Sequence, residues 1–204
     1  MLVREKRAKT ILSESKVHEY TINPYVGCEH GCTYCYARFI RRFTGHREAW
    51  GDFVDVKVNA IGLLEREVGR KRIGRVWILD LLRAFKGLEV VFTVTTADDG
   101  IRKIFEPKAP SIEDRIRALE RLSSEGIGTC AMIAPILPGA EGLPKLLRGI
   151  VRSVLIDRMN YHYADWVYRR HGLEYAMKDV FFSEMGGALA KAFRGIGIPC
   201  EILF

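Results

Sequence analysis

Three cysteines, Cys28, Cys32 and Cys35, lie close together near the start of the chain with C-x3-C-x2-C spacing. Thiolates on one tight loop can bind a single metal centre. Three ligands are one too few to close a tetrahedral zinc site. On a four-iron cluster they leave one iron without a protein ligand. An iron with an open position can bind a substrate or co-substrate, so this spacing indicates chemistry more than architecture.

The segments around the cysteines predict a loop between a strand and a helix. Residues 17–22 half alternate between polar and apolar types, which predicts a strand, and Pro24 and Gly27 break it. The run Tyr36–Phe43 predicts a helix with one apolar face. Gly27 and Gly31 let the backbone fold closely around a bulky inorganic core.

A zinc-binding module is an alternative interpretation, with His30 or His46 as the fourth ligand. No second ligand pair at zinc spacing follows, which weakens it. A disulfide framework is weaker still, because five cysteines is an odd count and the spacing is too tight.

The cysteine motif resembles the signature of the radical S-adenosylmethionine (radical SAM) superfamily. Its flanks, Asn23-Pro24-Tyr25 and Tyr36-Ala37-Arg38, resemble the spore photoproduct lyase-like branch of that superfamily. Residues 105–111, Arg115 and residues 134–139 also resemble that branch. The similarity runs along most of the chain.

The resemblance implies a 4Fe-4S cluster held by Cys28, Cys32 and Cys35. The free iron would chelate S-adenosylmethionine (SAM), and one electron would cleave it to methionine and a 5'-deoxyadenosyl radical. That radical would abstract hydrogen from an unknown substrate, for which nucleic acid is a guess by analogy. An electron donor such as ferredoxin or flavodoxin is implied as a further partner.

Four further residues are candidates for the cofactor side of the site. The resemblance places Tyr34 near the adenine, and Glu106 and Arg115 near the cofactor. Thr95 falls at the carboxyl end of a predicted strand, where it could bond to the ribose or carboxylate of SAM. The plainer interpretations are a strand residue for Thr95 and a surface helix residue for Arg115.

Strand-like and helix-like segments alternate along the chain, which is typical of an α/β protein. Strands are predicted at residues 53–58, 75–78, 88–96, 129–136, 153–158 and 199–203. Helices are predicted from a cap at Asn59 to about Val68, from a cap at Ser111 to Gly126, and over residues 180–193. This order suits a partial (β/α) TIM-like barrel of the radical SAM type, the fold that the resemblance implies.

The connection between strands 75–78 and 88–96 is shorter than the dozen or so residues that a parallel crossover needs. The family has a further strand, helix and strand end here, so we expect the barrel to lack one or more βα units. The lost strand ends normally help to bind the amino group of SAM. An alternative function follows: a shortened, non-catalytic relative that binds a 4Fe-4S cluster and a partner or nucleic acid.

Length and composition predict one domain. The chain has 204 residues, of which 48% are hydrophobic, enough to bury a real core. We expect residues 1–204 to form a single radical SAM-like domain, with an N-terminal extension at 1–16 and a cluster-binding segment at 17–45. No apolar run approaches the 20 or so residues of a membrane span. Free thiols and a cluster favour a cytoplasmic location.

The net charge of +7 mildly favours a polyanionic partner. Basic residues cluster at positions 38–47 and 70–75. The plainer interpretation of both clusters is a solvated, highly charged surface.

Overall fold

A computed structural model describes residues 1–14, 20–67 and 88–204, which form two compact units. The described residues of the first unit are 1–14, 20–31 and 35–67, and those of the second are 32–34 and 88–204. Several predictions lie outside the described residues. They are the strand at 75–78, the end of the helix near Val68, the short connection before residue 88 and the basic cluster at 70–75. The single-domain assignment stays a prediction.

The first unit is built mainly of strands. Its elements are β1 (Leu2–Lys6), β2 (Leu12–Glu14), β3 (Tyr20–Ile22), β4 (Tyr25–Cys28), β5 (Phe53–Lys57) and α1 (Ala60–Glu67). Strand β5 is central in a mixed sheet, parallel to β1 and antiparallel to β4, while β2 and β3 form a separate antiparallel pair. The alternation that predicts β5 is confirmed, because Phe53 and Asp55 are buried and their neighbours are less so.

One prediction near the cysteines is corrected by this unit. Gly27 does not end regular structure, because β4 continues through it to Cys28 and pairs with β5. The segment expected as an N-terminal extension contributes strand β1, which also pairs with β5. Both strands depend on β5 as a partner that is distant in sequence, so local patterns do not reveal them.

The segment Tyr36–Phe43 is a 3-10 helix rather than the expected α-helix, and it buries no residue. A period of three residues per turn places positions four apart on different faces, so Phe39 and Phe43 do not share a buried side. Phe39 is 47% exposed and Phe43 is 81% exposed. The apolar face that the sequence predicts is therefore an exposed aromatic surface.

The expected role of Asn59 as a helix cap is also corrected. Its side chain pairs with the backbone of Ala8, accepting from the Ala8 N–H at 2.8 Å and donating to the Ala8 carbonyl at 2.9 Å. The residue therefore fixes the chain that leaves β1 next to the start of α1.

The second unit is a set of consecutive parallel strands with helical crossovers. Its elements are β6 (Glu89–Thr93), α2 (Asp99–Phe105), α3 (Ile112–Ser124), β7 (Gly128–Ile133), α4 (Leu143–Leu147), β8 (Ser153–Ile156), α5 (Asp165–Arg170), α6 (Asp179–Gly195) and β9 (Cys200–Ile202). The strands pair in chain order, each parallel to the next. The expectation of an α/β protein with a parallel sheet is confirmed, and the strands assigned in residues 1–14, 20–67 and 88–204 do not close into a barrel.

Side-chain caps explain where the helices of this unit begin, and buried strand residues form its core. Ser111 caps α3 by accepting from the Asp114 N–H at 3.1 Å, as predicted. Asp98 caps α2, a helix that the sequence analysis missed. The core is continuous from the strands, through Ile133 and Ile156, to Phe193 of α6. Among the described residues, no helix combines the length and apolar character needed to cross a membrane.

A buried charge cluster holds the centre of the first unit. The Asp55 carboxylate on β5 contacts Lys6 Nζ at 2.6 Å and His46 Nε2 at 3.0 Å, and the other ring nitrogen of His46 lies 3.0 Å from Glu48. Burial by itself raises the pKa of Asp55, but hydrogen bonds from Lys6 and His46 outweigh it and hold the pKa below its usual value.

We expect Asp55→Asn to lower the free energy of unfolding by about 2 kcal/mol near neutral pH, because hydrogen bonds to a charged group are lost. The folded-state pKa of Asp55 is depressed, so its contribution is full above the unfolded value of about 3.9 and is lost as the pH falls below it. Urea unfolding at about pH 7 and about pH 3 measures this. The gap between wild type and variant should close in acid, and the exposed Glu5→Gln control should show no such gap.

Candidate functional site

The three cysteines lie at three different structural positions. Cys28 is the last residue of β4, Cys35 immediately precedes the 3-10 helix, and Cys32 begins the short segment 32–34 that belongs to the second unit. All three are free thiols of intermediate burial. Among the described residues, no group of three or more His, Cys, Asp or Glu side chains is arranged to hold a metal ion.

Glycines allow the backbone of this loop to pack tightly. Gly27 has φ +93°, and a Cβ there would lie 2.5 Å from the Phe53 carbonyl oxygen. A Cβ on Gly51 would lie 2.7 Å from the Cα of Gly31, which itself has φ 62°. Gly27 and Gly31 do allow close backbone packing, and Gly51 is a further contributor that the sequence analysis missed; their role around an inorganic core stays a prediction.

Hydrogen-bond donors surround two of the thiols. The His30 N–H donates to Cys28 Sγ at 3.4 Å. Burial raises the pKa of the Cys35 thiol, while the backbone N–H of Ala37 and the indole N–H of Trp50 lower it. Among the described residues, the buried Trp50 Nε1 meets no acceptor in hydrogen-bond geometry. A thiolate that ligates iron accepts more strongly than a thiol, so this donor set suits a cluster ligand.

The segment between Cys32 and Cys35 is fixed to the C-terminus of α2. The backbone N–H of Thr33 donates to the Phe105 carbonyl at 2.9 Å, and its hydroxyl lies 3.2 Å from the same oxygen. The ring of Tyr34 packs on a buried cluster that contains Phe105 and Tyr168. Helix α2, which the sequence analysis missed, therefore holds the middle of the cysteine motif.

The carboxylate of Glu106 is the centre of a buried hydrogen-bond network. It is 1% exposed. Its Oε1 accepts from the Tyr34 hydroxyl and the Thr95 hydroxyl, each at 2.6 Å, and its Oε2 accepts from Arg115. The four residues expected on the cofactor side of the site are therefore brought together.

Arg115 is buried. Without the family resemblance, the sequence predicts a position on the exposed surface of the helix. It is 8% exposed. Besides Glu106, its guanidinium donates to the Pro110 carbonyl at 3.1 Å and the Thr93 carbonyl at 3.2 Å. Arg115 thus ties the end of β6 to the start of α3, and its charge is compensated by Glu106.

A second ion pair supports the backbone of Glu106. Asp99 accepts from Nε and Nη2 of Arg102 at 2.8 and 3.0 Å, and from the Ile112 N–H at 3.2 Å. The Nη1 atom of Arg102 donates to the carbonyls of Glu106 and Ala109. The sequence analysis missed this pair, although its i, i+3 spacing just after the Asp98 cap is a recognisable signal.

The network leaves the Tyr34 ring, not its hydroxyl, for contact with a ligand. Burial, followed by the nearby Glu106 and Cys32, raises the pKa of Tyr34 well above its ordinary value, so the hydroxyl stays neutral and donates to Glu106. The side chain is only partly buried within its apolar cluster. Stacking on the ring is therefore a contact that Tyr34 can offer an aromatic ligand without giving up its hydrogen bond to Glu106.

Comparisons with known proteins agree with this fold. No protein-family model matches the chain. An uncharacterized protein of Methanocaldococcus jannaschii is 28% identical over 173 residues, a match that covers 65% of this chain and 66% of that protein, slightly less than two thirds. A spore photoproduct lyase, solved in complex with dinucleoside spore photoproduct, has a TM-score of 0.63 and 14% identity, and the match covers 98% of this chain and 82% of that chain. At that identity the likeness shows the fold alone.

We expect Glu106→Gln to lower the free energy of unfolding by about 3 kcal/mol, because the amide cannot compensate the buried charge of Arg115. Glu113→Gln on the exposed side of α3 is the matched control and should change stability by less than about 0.5 kcal/mol. Urea unfolding followed by circular dichroism measures both. Equal effects of the two substitutions would contradict a central role for Glu106.

Proposed function

We propose that this chain is a radical SAM iron–sulfur protein of the spore photoproduct lyase-like type. The observation that carries the proposal is the C-x3-C-x2-C loop in a chain whose fold is similar to that of a spore photoproduct lyase. Neither feature is sufficient alone, because folds host many functions and short motifs recur. Their coincidence in one chain favours this function over a zinc module.

In this proposal Cys28, Cys32 and Cys35 hold a 4Fe-4S cluster. Such a cluster, once reduced, would supply the electron for cleavage of SAM to a 5'-deoxyadenosyl radical, which would abstract hydrogen from a substrate. The chain contributes N–H donors to the cysteine sulfurs, a fixed Cys32–Tyr34 segment and the ring of Tyr34 as an adenine contact. Thr95, Glu106 and Arg115 would act on the cofactor side of the site indirectly. Their hydrogen-bond network holds Tyr34 in position.

The fold implied by this proposal is a partial TIM-like barrel of the radical SAM type. The parallel sheet β6–β9, whose strands pair in chain order with helical crossovers, supports this part of the proposal. Thr95 follows β6 directly, at the strand end where barrel enzymes bind ligands. A protein electron donor, such as ferredoxin or flavodoxin, and a cytoplasmic location belong to the same proposal.

A shortened, non-catalytic relative is the second candidate, and one observation favours it. Both oxygens of Glu106 are already engaged within the protein, by Tyr34, Thr95 and Arg115. A network closed in this way offers a cofactor few free polar groups. The alternative protein would bind the cluster and a partner or nucleic acid without cleaving SAM.

Anaerobic reconstitution followed by dithionite and SAM separates the two candidates. The enzyme is expected to release 5'-deoxyadenosine, measured by liquid chromatography. A cluster that forms while SAM stays intact and unbound would support the non-catalytic relative. Protein that takes up zinc but no iron would contradict both.

We expect alanine at Cys28, Cys32 or Cys35 to remove most cluster absorbance and iron after anaerobic reconstitution, because a three-cysteine site has no spare ligand. Cys130→Ala and Cys200→Ala are matched controls, since both are buried in parallel strands, and they should retain the cluster. Iron content that survives the three motif substitutions would contradict the cluster assignment.

We also propose a nucleic-acid substrate. The similar spore photoproduct lyase was solved with a dinucleoside photoproduct. In this chain, the 3-10 helix that follows Cys35 carries exposed Tyr36, Phe39 and Phe43, with Arg41 and Arg42 between the two phenylalanines. Aromatic rings interleaved with arginines can stack bases and contact phosphates.

We expect Phe43→Ser to weaken binding of a fluorescent single-stranded oligonucleotide about five- to tenfold, the loss of roughly one stacked base. Val180→Ser, which changes an exposed apolar side chain on α6, is the control and should leave affinity unchanged. Anisotropy titrations at several salt concentrations measure both affinity and its salt dependence. Wild-type protein that shows no binding at low salt would contradict a nucleic-acid substrate.

A further inference from the structure

The side chain of Trp50 has a polar atom whose partner is missing among the described residues. Its Nε1 is buried and meets no acceptor in hydrogen-bond geometry within that part of the protein. Buried donors are nearly always satisfied, so an exception calls for a functional explanation. The Cys35 sulfur lies within reach of this indole N–H.

Packing holds the Trp50 ring in this place. Its ring meets the edge of Phe53 at a centroid distance of 5.9 Å and an angle of 84°. Phe53 is fully buried and stacks on His46 at 3.9 Å. Both ring nitrogens of His46 are held by carboxylates, those of Glu48 and Asp55. The indole therefore rests on a side-chain stack that is itself fixed.

A thiol is a weak hydrogen-bond acceptor, whereas an iron-bound thiolate carries negative charge and accepts well. We propose that Trp50 donates a hydrogen bond to the Cys35 sulfur once that sulfur ligates iron, and so acts as a positioning residue that tunes the cluster. The inference rests on the proposed function. Hydrogen bonds to cluster sulfurs stabilise the more negative, reduced state and raise the reduction potential.

The test compares wild type, Trp50→Phe and Trp166→Phe after anaerobic reconstitution. Phenylalanine keeps an aromatic ring but removes the donor, and Trp166, 56% exposed on α5, is the matched control. Redox titration followed by electron paramagnetic resonance should give a more negative potential for Trp50→Phe alone. Equal potentials in all three proteins would overturn the inference and leave the proposed function intact.

A measurement on the wild-type chain covers the case in which Trp50→Phe fails to fold or to bind iron. The protein has three tryptophans, and isotope labelling of the indole nitrogen gives each one a separate N–H signal in nuclear magnetic resonance. The Trp50 signal is assigned as the one that disappears in the unloaded Trp50→Phe protein. If that variant is unfolded, Phe substitutions of the other two tryptophans assign their signals and leave the Trp50 signal by elimination. Cluster loading should shift the Trp50 signal strongly downfield, as a new hydrogen bond does.

These outcomes distinguish a failure of the Trp50 hydrogen bond from a failure of cluster binding. An unchanged Trp50 signal in cluster-loaded protein overturns the inference alone. Wild-type protein that binds no cluster overturns the proposed function and this inference with it.

Discussion

The buried carboxylate of Glu106 is the constraint on which the second unit depends. A carboxylate that is 1% exposed is tolerated only when each oxygen has a strong partner. Arg115 supplies the compensating charge, and the Tyr34 and Thr95 hydroxyls supply the remaining hydrogen bonds. Because Tyr34 lies between two motif cysteines, the electrostatic requirement of Glu106 fixes the path of the chain beside them. The network therefore positions the segment that carries Tyr34 and does not itself supply reactive groups.

The other two motif cysteines, Cys28 and Cys35, belong to the first unit, where steric rather than electrostatic contacts shape their surroundings. Gly27 packs against the carbonyl and ring of Phe53 without room for a Cβ, so Cys28 follows a backbone pressed onto β5. Trp50, packed on the same Phe53 ring, lies beside the Cys35 thiol. Phe53 is in turn covered by His46. A single buried aromatic ring thus organises the surroundings of two motif cysteines.

Sequence patterns predict those parts of the fold that local residues determine. The Ser111 cap, the alternation in β5 and the consecutive strands of the parallel sheet depend on neighbours in the chain, and they are confirmed. Strand β4 and the Asn59–Ala8 pairing depend on distant partners, and the sequence analysis missed them. The burial of Arg115 could be expected only from the family resemblance, because an arginine on an amphipathic helix is ordinarily solvated.

The closed network around Glu106 also bears on the choice between an enzyme and a non-catalytic relative. Had the polar groups of Tyr34, Thr95 and Arg115 been free, they would have indicated a site that recognises a cofactor by hydrogen bonds. They are instead satisfied inside the protein, so a bound nucleoside would gain most from stacking on the partly exposed Tyr34 ring. Stacking tolerates different bases and does not read their edges. If the proposed function holds, specificity for SAM would therefore have to come from its amino and carboxylate groups at the cluster rather than from the polar side chains of this network.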